Sequence, residues 1–207
     1  ASGKSSVGLG AARKLGFRYF DTGLLYRALT WLALERGIDT ADAGALTALV
    51  ADLNVELDPV GRVSRDARDI SDDLRSPTVD GAVSAVAGHA TVREALRPVQ
   101  RALIRPPGVV MAGRDIGTVI VPDATLKIWL NASAEERARR RSAQTGEPYA
   151  EVLAGMQRRD QLDASRKVAP MARAADAVVL ESDGLSLEEV VARLVDLAVR
   201  QGAKPVQ

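Results

Sequence analysis

Cysteine is absent from this 207-residue chain, which excludes disulfides, thiol nucleophiles and thiolate metal sites together. His89 is the single histidine, so a multi-histidine zinc centre and most serine-triad schemes are unavailable. Aromatic residues make up 3% of the sequence, too few to point to a large interface built on aromatic anchors, and a monomer is expected. Neither sign of charge is in excess: 28 Lys and Arg stand against 27 Asp and Glu, a formal net charge of +1. A generally basic nucleic-acid binder is therefore not indicated, although local arginine clusters stay open. There is no signal-peptide pattern and no apolar run long enough to span a bilayer, so the expected location is the cytoplasm, with neither membrane nor nucleic acid as a partner.

At 46% hydrophobic residues the chain can bury a full core as one domain. Its first stretch, Ala1-Ser2-Gly3-Lys4-Ser5-Ser6, reads as the second half of a phosphate-binding loop of the form G-x-x-x-x-G-K-[ST]. In such a loop successive N–H groups face one concavity, Gly3 allows close backbone approach, Lys4 spans the β- and γ-phosphates and the Ser5 hydroxyl ligates Mg²⁺. Ser2 and Ser6 flank these positions. Gly-Lys-Ser alone is a weak signal, but Val7, Leu9, Ala11, Ala12 and Leu15 follow it as a helix suited to packing on a sheet, with Gly16 as its stop. A helix opening there aims its positive end at a bound phosphate. The first glycine of the pattern and the strand before it are not in the sequence, and the expectation is a chain truncated at its start.

Phe17 to Phe20 reads as a short buried strand, ending in Asp21-Thr22-Gly23 with Tyr26 and Arg27 on the next helix. Ligands of a parallel α/β sheet sit beyond the carboxyl ends of its strands. Arg27 facing an anion there, and Asp21 and Thr22 serving merely as a helix cap, are equally open readings. Residues 53–76 alternate polar and apolar around Asp58-Pro59-Val60-Gly61, the pattern of a small antiparallel excursion. Ser76-Pro77 starts a helix carrying Ser84, and the helix from about Thr91 to Ile104 carries Arg93, Arg97 and Arg101 in one row. A solvated face is the usual meaning of such a row, with Arg93 the candidate to face a cleft. His89 is assigned to packing or solvent.

Val109 to Ala112 is a continuous apolar run expected to be a buried parallel strand. The Gly113-Arg114-Asp115-Ile116-Gly117-Thr118 run beyond it puts a charged pair between glycines, where Arg114 can fork two donors onto phosphate oxygens. After a strand over Leu126 to Leu130, Ser133 caps a helix bearing Arg137, Arg139, Arg140 and Arg141 against Glu135 and Glu136, a surplus suited to a lid over a triphosphate. A second arm from about Tyr149 to Asp163 brings Arg159, Asp163 and, beyond it, Arg166 to one face if helical. Ala177 to Leu180 is the last strand, Ser186 caps the closing helix, and Gly202 to Gln207 is expected to fray.

In this order the runs Gly3-Lys4-Ser5-Ser6, Asp21-Thr22-Gly23 with Tyr26-Arg27, Val92-Arg93-Glu94-Ala95-Leu96, Gly113 to Thr118, and Arg159-Asp160 through Asp163 to Arg166-Lys167-Val168-Ala169-Pro170 resemble the bacterial cytidylate kinases, over essentially the whole chain. The resemblance implies a P-loop α/β fold, a parallel sheet flanked by helices. It implies a core of 1–52 and 105–207, a monophosphate-binding insert of about 53–104 and a helical lid of about 135–166. It further implies transfer of the ATP γ-phosphoryl group to CMP or dCMP with Mg²⁺. Arg27 and Arg114 would hold the acceptor phosphate beside Asp115. Thr22, Ser84, Arg93 and Arg166 would line the cytosine and nearby sugar, with Asp21 and Tyr26 adjoining. Arg159 and Asp163 would address the pentose hydroxyls, and Arg137, Arg140 and Arg141 would belong to the lid. Lys4 and these arginines would converge on two facing nucleotide phosphates.

Ala112 departs from the family pattern, in which an acidic residue is frequent before Gly-Arg-Asp. The strand missing before Ala1 would lie at the centre of the sheet, so the chain as it stands is expected to be unstable and nearly inactive. Restoring about ten residues should raise the urea midpoint. The rival readings are a P-loop kinase for UMP, AMP or shikimate, and a non-catalytic nucleotide-binding switch. The number of arginines disfavours a hydroxyl acceptor, and the absence of an Asn-Lys-x-Asp run disfavours the switch.

Overall fold

The computed structural model describes residues 3–58, 60–164 and 172–206, the side chains of 159–164 excepted. The chain divides into two compact units, one made of Ala1–Phe17 with Arg114–Gln207 and the other of Arg18–Gly113. The expected insert at 53–104 falls within the second unit and the expected lid within the first.

In the Arg18–Gly113 unit, strand β1 (Arg18–Asp21) leads into helix α2 (Gly23–Glu35), then α3 (Ala43–Leu49). Short strands β2 (Glu56–Leu57), β3 (Val63–Arg65) and β4 (Arg68–Asp69) form an antiparallel sheet in the order β2-β3-β4, the excursion expected from the alternating pattern. Helices α4 (Pro77–Val86) and α5 (Ala90–Arg101) follow, and β5 (Val109–Ala112) returns to pair in parallel with β1. Burying Leu25, Ala28, Leu29 and Leu32 on one stripe of α2 explains why this apolar segment is helical. They pack with Phe20, Leu46, Leu74, Val86, Val92 and Leu96 in one core. Complete burial of a Leu contributes about 1.5–3 kcal/mol, so this helix is the unit's main anchor.

In the other unit α1 (Lys4–Leu15) starts the chain. A one-turn π-helix at Ile116–Ile120, β6 (Ile128–Asn131), α6 (Ala134–Thr145), α7 (Tyr149–Ala164), β7 (Val178–Glu181) and α8 (Leu187–Arg200) complete it. Strands β6 and β7 pair in parallel, from Ile128↔Val178 to Asn131↔Glu181. Val7 of α1, Leu180 of β7, and Val190 and Val191 of α8 form the core, with Ile128 and Leu130 against it. Helices α1 and α8 approach so closely at Gly10 that a β-carbon there would lie 2.8 Å from Val191 Cγ2. The caps follow the sequence: Gly16 closes α1 at φ 68°, Ser133 accepts from the Glu136 N–H, and Ser186 with Glu189 forms a capping box.

Among the described residues the parallel strands pair two by two, β1 with β5 and β6 with β7. Three expectations change. Strand β5, expected to be buried, is half-buried at all four residues, since its ladder runs to β1 on one side only. Ser76 precedes Pro77 as expected but makes no capping bond to the helix, its hydroxyl lying 3.2 Å from that of Thr78. The tail expected to fray is fastened at its described end, because the Val206 N–H donates to the Leu15 carbonyl at 2.9 Å beside Gly16.

Candidate active site

In the Ala1–Phe17 segment, Gly3 takes a left-handed φ of 77° as N-cap of α1, and its carbonyl accepts from the Val7 N–H at 2.8 Å. This geometry suits glycine alone at low cost. It leaves the first-turn N–H groups of α1 facing outward beside the exposed Lys4, Ser5 and Ser6, the arrangement that receives phosphate. Ser2 lies outside the described residues. The Ser5 hydroxyl is a hard oxygen donor, and no cluster of three acidic or histidine ligands occurs among the described residues. That donor set suits Mg²⁺, which is commonly carried by one or two protein oxygens plus substrate phosphates.

In the other unit Asp21 and Thr22 stand at the carboxyl ends of β1 and β5, with Tyr26 and Arg27 on α2, Ser84 on α4 and Arg93 on α5. Asp21 Oδ1 accepts from the Gly23 N–H at 2.9 Å, so this carboxylate does shape the turn into α2. Thr22 is buried and ties the strand ends together: its N–H and its hydroxyl both donate to the Ala112 carbonyl, at 2.9 and 3.1 Å. At the position where the family pattern carries an acid, the backbone oxygen of Ala112 thus has a structural task. Arg27, one turn into α2, donates to the Leu74 carbonyl at 2.8 Å and pairs with Asp80 Oδ1 of α4 at 2.6 Å. The Arg93 guanidinium lies 5.4 Å over the ring of the buried Tyr26 and donates to the Ala87 carbonyl at 3.1 Å. Ser84 is exposed on α4. Asp21, Thr22, Tyr26, Arg27, Ser84 and Arg93 therefore belong to one unit. His89 is the N-cap residue of α5 with Nε2 2.9 Å from the Thr40 carbonyl, a packing role as expected.

In the unit that holds α1, Asp115 is buried and Arg114 half-buried where the glycine-rich run enters the π-helix. The methylenes of Lys127 cover Gly117, whose β-carbon would lie 3.1 Å from Lys127 Cδ, and Lys127 Nζ binds both oxygens of Asp176. Along α6 the arginines differ. Arg137 Nε turns back to the Ala132 and Ser133 carbonyls at 3.3 Å each, whereas Arg141 is exposed. Glu136 takes both Arg139 and Arg140, where simple four-residue spacing paired Glu135 with Arg139. Arg140 is further held by the Ser182 carbonyl at 2.6 Å, which makes it an anchor of this unit instead of a free lid cation. Ser133 above all, with the Arg140 and Arg139 charges adding to it, holds the Asp183 carboxyl below its ordinary range. Helix α7 carries Arg159 and Asp163 within its span, and Arg166 lies outside the described residues.

Asp80, Ser182 and Asp183 were not singled out from the sequence. Asp80 stands 53 positions from Arg27 in a helix of ordinary composition, and Ser182 and Asp183 read as a plain turn. No local pattern marks such long-range partners.

A family model described as cytidylate kinase matches residues 1–200. The cytidylate kinase of Herpetosiphon aurantiacus is 47% identical over 209 residues, covering 95% of this chain and 90% of the relative. That of Rhodococcus opacus is 44% identical over 203 residues, covering 94% and 89%. A bifunctional pantoate ligase/cytidylate kinase of Synechococcus is 43% identical over 215 residues, covering 99% of this chain but 44% of the relative. The chain thus spans less than half the length of that bifunctional protein.

Proposed function

Because the chain belongs to the cytidylate kinase family, we propose that it transfers the γ-phosphoryl group of ATP to CMP or dCMP, giving CDP or dCDP and ADP. An oxygen of the acceptor phosphate attacks the γ-phosphorus in line, and the bond from that phosphorus to the β–γ bridging oxygen breaks. The attacking group is already an anion, so no general base has to remove a proton, and positioning with charge neutralisation meets the requirement. A chain with one histidine, no cysteine and many arginines is composed for that task.

The observation that carries the reading is the pair of prepared anion sites. One is the left-handed Gly3 opening α1 beside Lys4 and Ser5, and the other is Arg27 held at the carboxyl end of β1 in the same unit as Arg93 and Ser84. In this reading Ser2, Gly3, Lys4, Ser5 and Ser6 hold the donor phosphates, with Lys4 spanning β and γ. Mg²⁺, when bound, offsets charge on those same oxygens, and Ser5 would hold it. Arg27 and Arg114 grip the acceptor phosphate, with Asp21, Tyr26 and Asp115 shaping their surroundings. Thr22, Ser84, Arg93 and Arg166 meet the cytosine end, and Arg159 and Asp163 address the pentose. The insert at 53–104 serves the acceptor and the arm at 135–166 is the lid, to which Arg137 and the exposed Arg141 contribute charge. Cytosine is told apart by hydrogen bonds to its ring edge, each costing about 1–3 kcal/mol if left unpaired by a wrong base. The enzyme acts as a cytoplasmic monomer in this reading.

A coupled assay offering CMP, dCMP, UMP, AMP and shikimate tests it. Turnover is expected with the two cytidine nucleotides, and preference for any other acceptor would overturn the assignment.

A further inference from the structure

The turn that follows β7 is fastened at three points to the end of β6 and the start of α6, all within one unit. Ser182 is wholly buried and sends its N–H and its hydroxyl to the Asn131 carbonyl at 3.0 and 2.9 Å. Asp183 Oδ1 accepts from the Ser133 N–H at 3.0 Å. Arg140 makes the third attachment from the second turn of α6. Its Nη2 donates to the Ser182 carbonyl at 2.6 Å and reaches the Leu185 carbonyl at 3.4 Å, its Nη1 lies 3.4 Å from Ser182 Oγ, and its Nε donates to Glu136 Oε1 at 2.9 Å. The same Nη1 is 3.8 Å from the point where a side chain on Gly3 would begin.

Only a guanidinium can serve two carbonyls, a carboxylate and a hydroxyl from one rigid plane, because its donors point in fixed directions that a lysine ammonium does not reproduce. The turn at 182–185 follows the carboxyl end of β7, where α/β folds bind ligands, and Gly3 opens α1 of the same unit. The guanidinium is therefore committed to holding backbone, and it stands beside the residue that opens α1.

We infer that Arg140 is a positioning residue for the phosphoryl donor: fixed to the 182–185 turn and Glu136, it stands beside Gly3 and sets donor affinity, and it neither reaches the transferred group nor serves the acceptor. The inference rests on the kinase reading above and separates Arg140 from Arg137 and Arg141 on the same helix.

Steady-state constants for ATP and CMP, together with equilibrium binding of ATP without acceptor, in Arg140→Met, Arg140→Lys and Arg141→Met test it. Loss of the charge-assisted bonds should raise both KM and Kd for ATP about tenfold in Arg140→Met. The KM for CMP and kcat should stay within about twofold, and Arg140→Lys should recover part of the loss. Unchanged ATP binding with a kcat lowered as far as in Arg141→Met would make Arg140 a lid cation and overturn the inference. Equal losses toward ATP and CMP that follow a lowered urea midpoint would reduce it to general stability and overturn it as well. Should Arg140→Met fail to fold, Glu136→Gln removes the charge that holds Arg140 Nε, together with that on the exposed Arg139, and a KM shift confined to ATP is expected there; no shift would be equally fatal. A wild-type protein that binds ATP but leaves CMP untouched would defeat the kinase reading while the ATP-binding comparison still decides the role of Arg140.

Discussion

Arginine is held in two different ways in the two units of this chain. Arg27 of the Arg18–Gly113 unit is paired with Asp80, a carboxylate whose side chain is 56% exposed, and donates to one backbone carbonyl, that of Leu74, whereas Arg140 of the other unit is bound to two backbone carbonyls and to Glu136, 14% exposed. An ion pair with an exposed carboxylate contributes only about 0.2–1 kcal/mol, so an incoming phosphate dianion can take the place of Asp80 on Arg27. Carbonyls fixed in a turn cannot be displaced in this way without unmaking the turn. The partner thus decides whether an arginine is available to a ligand or is part of the frame, although the residue type is the same.

The sharpest break in the comparison is Lys4→Ala, which removes the cation of the phosphate loop and leaves both frames intact. Its kcat should fall by about a hundredfold or more, and turnover undiminished relative to wild type would sink the mechanism. Next, Arg27→Ala should raise the KM for CMP by about ten- to a hundredfold with little change in that for ATP, the mirror image of Arg140→Met. Equal effects on both substrates would erase the distinction between the units.

Scaffold effects are separated from site effects by Gly10→Val, which forces a methyl-bearing carbon into Val191 between α1 and α8. Overpacking there should cost about 1–3 kcal/mol, read as a lower urea midpoint, and an unchanged midpoint would show that the two helices part freely. A smaller effect is expected from Asp80→Asn, which should alter the KM for CMP by less than about fivefold if the Arg27–Asp80 pair is exchangeable.

The smallest concerns Asp69 in the β2-β3-β4 sheet. Ser71, then Arg62, lower its carboxyl to about 2. Since the folded value lies below the unfolded one, its contribution is complete above the ordinary carboxylate range and is lost as pH falls toward 2. Asp69→Asn should lower stability near neutrality, where the contribution is complete, and flatten the profile in that acid window. A profile identical to wild type would show the carboxylate to be unperturbed.

Much of the frame was legible because its signals are local. Gly16, Ser133 and the Ser186–Glu189 pair mark helix ends within one turn of chain, and the span of β5 from Val109 to Ala112 follows from apolar composition alone. The alternation over 53–76 gave the antiparallel excursion, since its strands lie close in sequence and pair across short turns. Less legible was anything set by distant partners. Asp21 capping Gly23 and Arg27 reaching an anion site had stood as alternatives, and the structure contains both the cap and a buried-side attachment of Arg27 to Leu74. The fastening of Val206 to Leu15 could not be read, because a polar tail with a proline carries no mark of the carbonyl waiting 191 residues earlier.

The sequence by itself determined which chemistry was open: without cysteine and with a single histidine, but with Lys4 beside Gly3 and arginines in several motifs, phosphate handling was the chemistry its side chains could best support. It also determined the helix and strand order, since caps and hydrophobic periods act within a few residues. Tertiary structure alone decided what each arginine is for. A guanidinium is the same cation wherever it stands, and only the acceptors it meets, an exposed carboxylate beside the Leu74 carbonyl for Arg27 and a turn's carbonyls with Glu136 for Arg140, fix whether its donors are exchangeable or spent.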